Sequence, residues 1–448
     1  MLDSKSDGVR LKILKFLSTT SRVIVSSSMD ASNTDLHWSK KPHLLLMLTA
    51  AAMPISFITW TTVINNFTVE HAAFTGREIG ILQSLRELPG FLSFLVVYLL
   101  FIFNEQRLAL ITLGLLGFGT ALTGYFPSAM GLYITTVIAS VGFHYYETCN
   151  QSLAMQWLDK KTAPQMLGKI YGFAAMAQVA TLVAIFLAVM ALSPEIGIDA
   201  IIEGGAFSAG LPGYQMIFLV GGVVTLGIAA FSYFGFPLFE AKNPQRKSIV
   251  LRSRYWLYYA LIFMSGARRQ IFVVFAGFLM VEKFGYSVGQ ITLLFLINAA
   301  FNIWLAPVVG KMIGRIGERA ALVIEYVGLI FVFTAYAFVE SATLAAGLYL
   351  LDHMFFAMAI AIKTYFQKIA DPADFAGTSS VSFTINHIVA VFLPAAFGLL
   401  WLISPAAVFL SGAAMAGISL LLAFNVPRHP DQGNEVVVGM RGVPQAAE

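Results

Sequence analysis

From residue 43 to residue 427 the chain alternates between long apolar runs and short polar breaks. A helix that crosses the hydrocarbon core needs about 20 mostly apolar residues. Twelve segments meet that length: roughly 43–66, 76–102, 107–126, 129–156, 169–192 and 214–237, then 255–281, 288–309, 319–339, 342–366, 377–402 and 405–427. The runs are continuous, without the short two-residue alternation of a membrane barrel strand. Most connections are short, as between antiparallel neighbours in a bundle.

Composition supports the same picture. Of the 448 residues, 58% are hydrophobic and 12% charged, about half the charge share of a soluble domain. Mean hydropathy is +0.77. A net charge of +4 is too small to imply a nucleic-acid partner, and the single cysteine, Cys149, rules out an intrachain disulfide framework or a multi-thiolate metal site. No metal or cofactor is expected.

Lys and Arg distribution sets the orientation. With twelve spans both tails share one face, which carries 22 Lys and Arg; the opposite face carries two, Arg77 and Lys283. Both termini are therefore expected in the cytoplasm, with the chain in the inner (plasma) membrane. The expected units are a cytoplasmic tail 1–42, a six-helix bundle 43–237, a basic linker 238–254, a second bundle 255–427 and a cytoplasmic tail 428–448. The apolar, basic stretch near the N-terminus is too short to span, so 1–42 reads as a surface-lying tail, or translation begins at Met29.

The halves repeat. At an offset of 212 residues Val69-Glu70 falls on Val281-Glu282, Phe74-Thr75 on Tyr286-Ser287, Arg86 on Asn298 and Arg107 on Arg319. At 209 residues His144 falls on His353, Gly168 on Gly377 and Gln178 on His387. A parallel repeat of six spans predicts an all-α membrane protein: twelve transmembrane helices in two pseudo-symmetric six-helix bundles related by an axis along the membrane normal.

The run GKMIGRIGER at 310–319, between spans 8 and 9, resembles the G-x-x-x-D-[RK]-x-G-x-[RK] loop of the major facilitator superfamily. Gly310, Gly314, Arg315, Gly317 and Arg319 occupy its positions, with Gly314 where the family has Asp. The first-half counterpart, 98–107, keeps only Arg107. The resemblance implies alternating access between the halves and a gating role for this loop.

Ionisable groups deep in a membrane are costly and mark function or internal pairing. Arg86 and Glu87 lie in span 2, roughly 15 Å from its end. His144 and Glu147 lie in span 4, Arg268, Arg269 and Gln270 in span 7, Asp352 and His353 in span 10, and Asn386 and His387 in span 11. All sit at similar depth. Arg86, His144, Arg268, Arg269, Gln270, His353, Asn386 and His387 are the candidate substrate ligands; Glu87, Glu147 and Asp352 are the candidate proton carriers. Each has a structural alternative, a fixed ion pair or a satisfied core histidine. Adjacent Arg268 and Arg269 point about 100° apart, so one is expected to pair helices instead of facing the cavity. Glu325 reads as a partner of Arg315 or Arg319. Trp60, Tyr145, Tyr146 and Trp304 are aromatic candidates for the cavity wall, and Asn298 and Asn302 serve equally as interhelical hydrogen bonders or site residues.

No Walker A loop and no acidic metal cluster of a membrane transferase is present, so an enzyme is not expected. The expectation is a proton-coupled secondary transporter, monomeric in the bilayer, for an anionic or zwitterionic metabolite. The competing expectations are an efflux antiporter for lipophilic or uncharged compounds and a non-transporting receptor.

Overall fold

The computed structural model describes residues 40–158, 163–192, 210–240, 251–371 and 374–439. The possible start at Met29 lies outside the described residues, as do nearly all of the N-terminal tail and most of the 193–213 loop and the 238–254 linker.

The described chain is helical. We label the helices α1 (Pro42–Ala72), α2 (Gly76–Phe91), α3 (Glu105–Thr123), α4 (Ala129–Trp157), α5 (Ala163–Leu192) and α6 (Gly210–Gly235). They continue with α7 (Ser253–Glu282), α8 (Val288–Ile316), α9 (Glu318–Ala337), α10 (Ala342–Ile369), α11 (Phe375–Ile403) and α12 (Pro405–Phe424). Among the described residues, nine helical segments are long and apolar enough to cross a membrane. The exceptions are informative. α2 carries Arg77, Glu78, Gln83, Arg86 and Glu87, and α4 carries His144, Glu147 and Gln151. Of these, Gln83, Arg86, Glu87, His144 and Glu147 line a central cavity, where the wall does not have to be apolar. In α8 the apolar stretch is Val288–Asn302. Beyond Phe91, α2 tightens into 3-10 geometry over Leu92–Leu95 before a last turn at Val96–Leu99, so regular helix ends earlier than the predicted 102.

Local chemistry starts and stops these helices. Pro42 opens α1, where a missing N–H costs nothing. Thr75 and Glu78 form a capping box at the start of α2, and Ser287 and Gln290 form one at the start of α8, 212 residues later. The residues two positions before each cap, Ala73 and Gly285, both take left-handed backbone, at φ 51° and 64°. The offset seen in the sequence thus joins two turns built alike. α7 widens into a π-helical segment at Ile271–Ala276, directly after Gln270.

α3 packs on α4 and α6, and α1 on α5 and α6; later in the chain α9 packs on α12 and α10, and α7 on α11. The main contact between early and late helices is α2 with α11, followed by α5 with α8. This contact is closest at the end of the molecule away from the termini. There a Cβ on Gly80 would collide with the Pro394 carbonyl, and one on Gly398 with the Gly76 carbonyl. Asn66 donates to the Tyr286 carbonyl (2.7 Å) at the same end. Apolar packing follows this division. One buried cluster joins the far ends of the early helices, including Phe67, Leu82 and Phe218, to the late helices. A second, including Leu45, Leu113 and Cys149, stays within the early helices near the termini. Phe331, Phe392 and Leu421 stand exposed on the perimeter, where lipid would cover them.

The first part of the predicted C-terminal tail is packed. The Tyr365 hydroxyl donates to the Glu435 carbonyl (2.6 Å), Gln432 donates to the Ala370 carbonyl (3.0 Å), and Val436 is buried. Close by, Asp374 accepts from Arg252 (2.8 Å) and Tyr255 (2.9 Å), tying the start of α7 to the start of α11.

Candidate functional site

A cavity of about 840 Å³ lies between the early and late helices, within the range for small-molecule sites. α1, α2, α4 and α5 face α7, α8, α10 and α11 across it. Nine of the eleven predicted ligand and carrier residues line it: Arg86, Glu87, His144, Glu147, Arg269, Gln270, His353, Asn386 and His387.

Its electrostatics come from a few contacts. Arg86 Nη2 is 2.6 Å from Glu87 Oε1, and its guanidinium lies 5.7 Å from the centre of the Trp60 ring. The other oxygen of Glu87 faces His387 Nε2 at 3.8 Å, across the α2–α11 contact. The rings of His144 and His387 meet edge to face at 5.3 Å. Glu147 accepts from Gln151 (3.2 Å). Glu87, His144 and His387 offer donor atoms mutually within 4.8 Å, the grouping among the described residues with metal-ligating composition. Arg269 also lines the cavity. Unlike Arg86, it has no carboxylate oxygen within 4.0 Å among the described residues.

Two predicted site residues lie elsewhere. Arg268 is 1% exposed and points into the late helices, 3.6 Å from Glu325 and with its guanidinium 4.3 Å from the centre of the Tyr326 ring. Asp352, also 1% exposed, belongs to this buried group and is absent from the cavity wall. The 100° step between neighbouring helical residues explains both. Arg269 and His353 take the cavity side, so Arg268 and Asp352 face the packed interior. Glu325 correspondingly pairs with Arg268, and not with Arg315 or Arg319.

The expected gating loop is nearly all helix. α8 runs through Ile316 and α9 begins at Glu318, so Gly310, Gly314 and Arg315 are helical and Gly317 alone makes the connection. A Cβ on Gly310 or Gly314 would meet open space. Gly317 has φ 82°, so conformation, more than close approach, calls for glycine there. Arg319 lies 5.8 Å from the Phe424 ring.

Aromatic and amide expectations divide. Trp60 lines the cavity; Tyr145 and Tyr146 do not, and the Trp304 side chain lies outside the described residues. Asn298 and Asn302 line the wall and bond to each other along α8 (3.2 Å), not between helices. The ionisable-group reading missed Asn65, Gln83, Tyr349 and the stacked pair Phe57–Phe143 (4.8 Å). The signal for Gln83 was present: it sits three and four residues before Arg86 and Glu87, on the same face.

Comparison with known proteins agrees with this architecture. No curated protein matches the chain closely by sequence. Among solved structures it is similar to a point mutant of the nucleoside transporter NupG, with TM-score 0.68 and 13% identity over 86% of this chain and 99% of that one. It is also similar to a bacterial homolog of the human lysosomal transporter Spinster, in an inward-facing and occupied conformation, with TM-score 0.65 and 14% identity over 85% and 95%. At such identities these likenesses establish the fold. The profile of the Major Facilitator Superfamily matches residues 16–394. A helical fold with membrane-length apolar segments, a polar cavity between early and late helices and this match over most of the chain lead to one conclusion: the protein is a multi-pass membrane transporter and belongs to the Major Facilitator Superfamily.

Proposed function

We propose that the chain is a proton-coupled secondary transporter that carries a small anionic or zwitterionic metabolite by alternating access. In this reading twelve spans form two six-helix bundles, 43–237 and 255–427, and a monomer works in the inner membrane with both termini in the cytoplasm. The close α2–α11 contact is then the closed outer gate, and the cavity belongs to an inward-open state.

One observation carries the substrate class. Arg86 is already matched by Glu87, whereas Arg269 faces the cavity without a carboxylate in contact. A guanidinium stays charged at any relevant pH and takes carboxylate or phosphate bidentately. Arg269 therefore anchors the negative group of the substrate, while Gln270, Asn298 and Asn386 supply neutral hydrogen bonds. Glu147, whose one direct partner among the described residues is Gln151, is the cavity carboxylate free to exchange a proton; Glu87 is committed to Arg86 unless transport breaks that pair. Asp352, away from the cavity, carries a proton only in exchange with Glu325, since the neighbouring Arg268 keeps its charge.

A second reading has specific support. The amides and aromatics of the wall suit an uncharged, ring-bearing cargo, and one similar structure is a nucleoside transporter. Thermal-shift binding of purified protein against metabolite panels separates the two, because a bound ligand raises the melting temperature by mass action. For an anionic ligand, Arg269→Gln should weaken binding about 10- to 100-fold, the loss of one charge-assisted contact of roughly 1.5–3 kcal/mol. If the tightest ligands are neutral and Arg269→Gln binds them normally, the nucleoside-like reading replaces the anionic one.

A further inference from the structure

Three helices bring Glu87 (α2), His144 (α4) and His387 (α11) to one point beside the cavity. All three side chains are buried. In each histidine Nδ1 lies against the carbonyl four residues earlier: Ser140 at 3.0 Å and Phe383 at 2.9 Å. A carbonyl only accepts, so Nδ1 carries the proton in both rings and Nε2 presents a lone pair. The Ser140 hydroxyl donates to the Arg86 carbonyl, which leaves its own lone pair toward Nδ1 of His144. Glu87 gives Oε1 to Arg86 and turns Oε2 toward His387. Among the described residues, none of these three atoms (the two Nε2 and Oε2) takes part in a hydrogen bond. Gly90 leaves the room they need: a Cβ there would collide with the His387 ring and stand 2.7 Å from the His144 ring.

Oε2 of Glu87 and Nε2 of His387 face each other at 3.8 Å, and the His144 ring turns Cδ2, the carbon beside its Nε2, to the same point at Gly90; lone pairs brought this close repel one another unless something electron-poor lies among them. We propose that Glu87, His144 and His387 form a binding site for a divalent transition-metal ion of the zinc class, with a fourth coordination position open to the cavity. The donor set argues for that class. Two imidazoles and a carboxylate are zinc-type ligands at sites that keep a position for an exogenous group. Magnesium and calcium take several oxygens, and only one is offered here. The backbone carbonyls on Nδ1 and the guanidinium on Oε1 fix the ligands from outside, as outer partners do in metal sites. Bound zinc sets tetrahedral ligands about 3.3–3.5 Å apart, so the donors, now within 4.8 Å, have to close in by side-chain rotation. Arg86 and Arg269 oppose a bare cation, and an anion at the open position offsets them. His387 comes from the late helices and the other two ligands from the early ones, so the ion favours the arrangement in which α2 and α11 are in contact. The proposal concerns binding and stands apart from the transport reading, since no flux has to be measured to test it.

The probe is Zn²⁺ alone, added to purified full-length protein, with Mg²⁺ as control. The melting temperature should rise with zinc concentration and not with magnesium. His144→Gln and His387→Gln, each first shown to be monodisperse with a cooperative melt, should lose at least 10-fold in zinc affinity. Co²⁺ should give the wild-type protein a visible absorption spectrum of tetrahedral nitrogen–oxygen ligation, which keeps the test open if a variant fails to fold. An absent zinc shift, a shift that survives both histidine substitutions, or cobalt bound only as the octahedral aqua-type ion would each overturn the site. In those cases the electrophile among the three lone pairs is a proton.

Discussion

Arg268 and Arg269 are chemically identical neighbours with opposite surroundings. Arg269 faces a cavity large enough for water and a ligand, whereas Arg268 is enclosed with Glu325, Tyr326 and Asp352. Removing each charge should therefore have different consequences. Arg268→Gln leaves two buried carboxyl groups without their cation, and breaking a buried pair costs about 3–5 kcal/mol. Lower yield and a melting temperature several degrees below wild type are expected, with Glu325→Gln in the same background recovering part of the loss. Arg269→Gln should melt within about a degree or two of wild type and lose ligand binding instead. Equal thermal losses in the two variants would mean that Arg269 is also a packing charge. The sequence already showed that both arginines cannot share one direction, but which of them turns inward depends on the rotation of α7. That rotation is set by packing against α11 and α12 and is not written in the local pattern.

At the scale of the helices, two junctions carry measurable consequences. Gly317 is the whole connection between α8 and α9 and holds φ 82°. Left-handed backbone is strained for residues with a Cβ, by about 1–3 kcal/mol. Gly317→Val should slow transport several-fold while substrate affinity, measured by thermal shift, stays within about twofold of wild type. A matching loss of affinity would place the defect in the cavity. The second junction is Asp374, which joins α7 to α11 from outside the membrane span. Burial raises its pKa, but hydrogen bonds from Arg252 and Tyr255 and the nearby guanidinium charges outweigh burial and hold the carboxyl below its ordinary 3.8. A group with a depressed folded pKa stabilises fully above its unfolded value and loses that contribution as pH falls through the folded one. Asp374→Asn should accordingly melt lower than wild type at pH 6–7, and the gap should start to shrink only below about pH 4 and close as pH falls through the depressed folded value. A gap independent of pH would show that the carboxylate charge is not what joins the helices. Part of this scale was legible in advance: the 212-residue offset set Thr75 on Ser287 at equivalent helix starts, and the capping boxes found at both are its structural counterpart. The π-helical widening of α7 was not, because it answers to tertiary packing around the cavity.

For the molecule as a whole, depth was readable and facing was not. Residues near midspan were placed at one level by counting along each helix, and nine of eleven did come to one cavity. Asp352 and Arg268 missed it because a rotation of one residue decides between cavity and interior. The close α2–α11 contact was the harder feature. Gly398 lies in plain apolar sequence and Gly76 and Gly80 beside the charged pair Arg77-Glu78, so nothing local marks them, and only the assembled helices show that α2 and α11 meet backbone to backbone there. Under the proposed topology this contact separates the cavity from the outside. Gly398→Leu would put a side chain where even a Cβ collides with the Gly76 carbonyl, so the helices have to part at that end while the rest of the packing stays intact. The balance between the two access states should then move toward the outward-open one. The readout is a cysteine at the cavity-lining position 65, placed by Asn65→Cys in a Cys149→Ala background and probed with a membrane-impermeant thiol reagent from outside the cell. The parent should stay protected and the Gly398→Leu form should label at least several-fold faster. Protection in both, with the protein folded and in the membrane, would mean that the glycine contact is static packing and the outer gate lies elsewhere. Fast labelling in the parent would mean that the cavity already opens to the outside, which reverses the assigned topology.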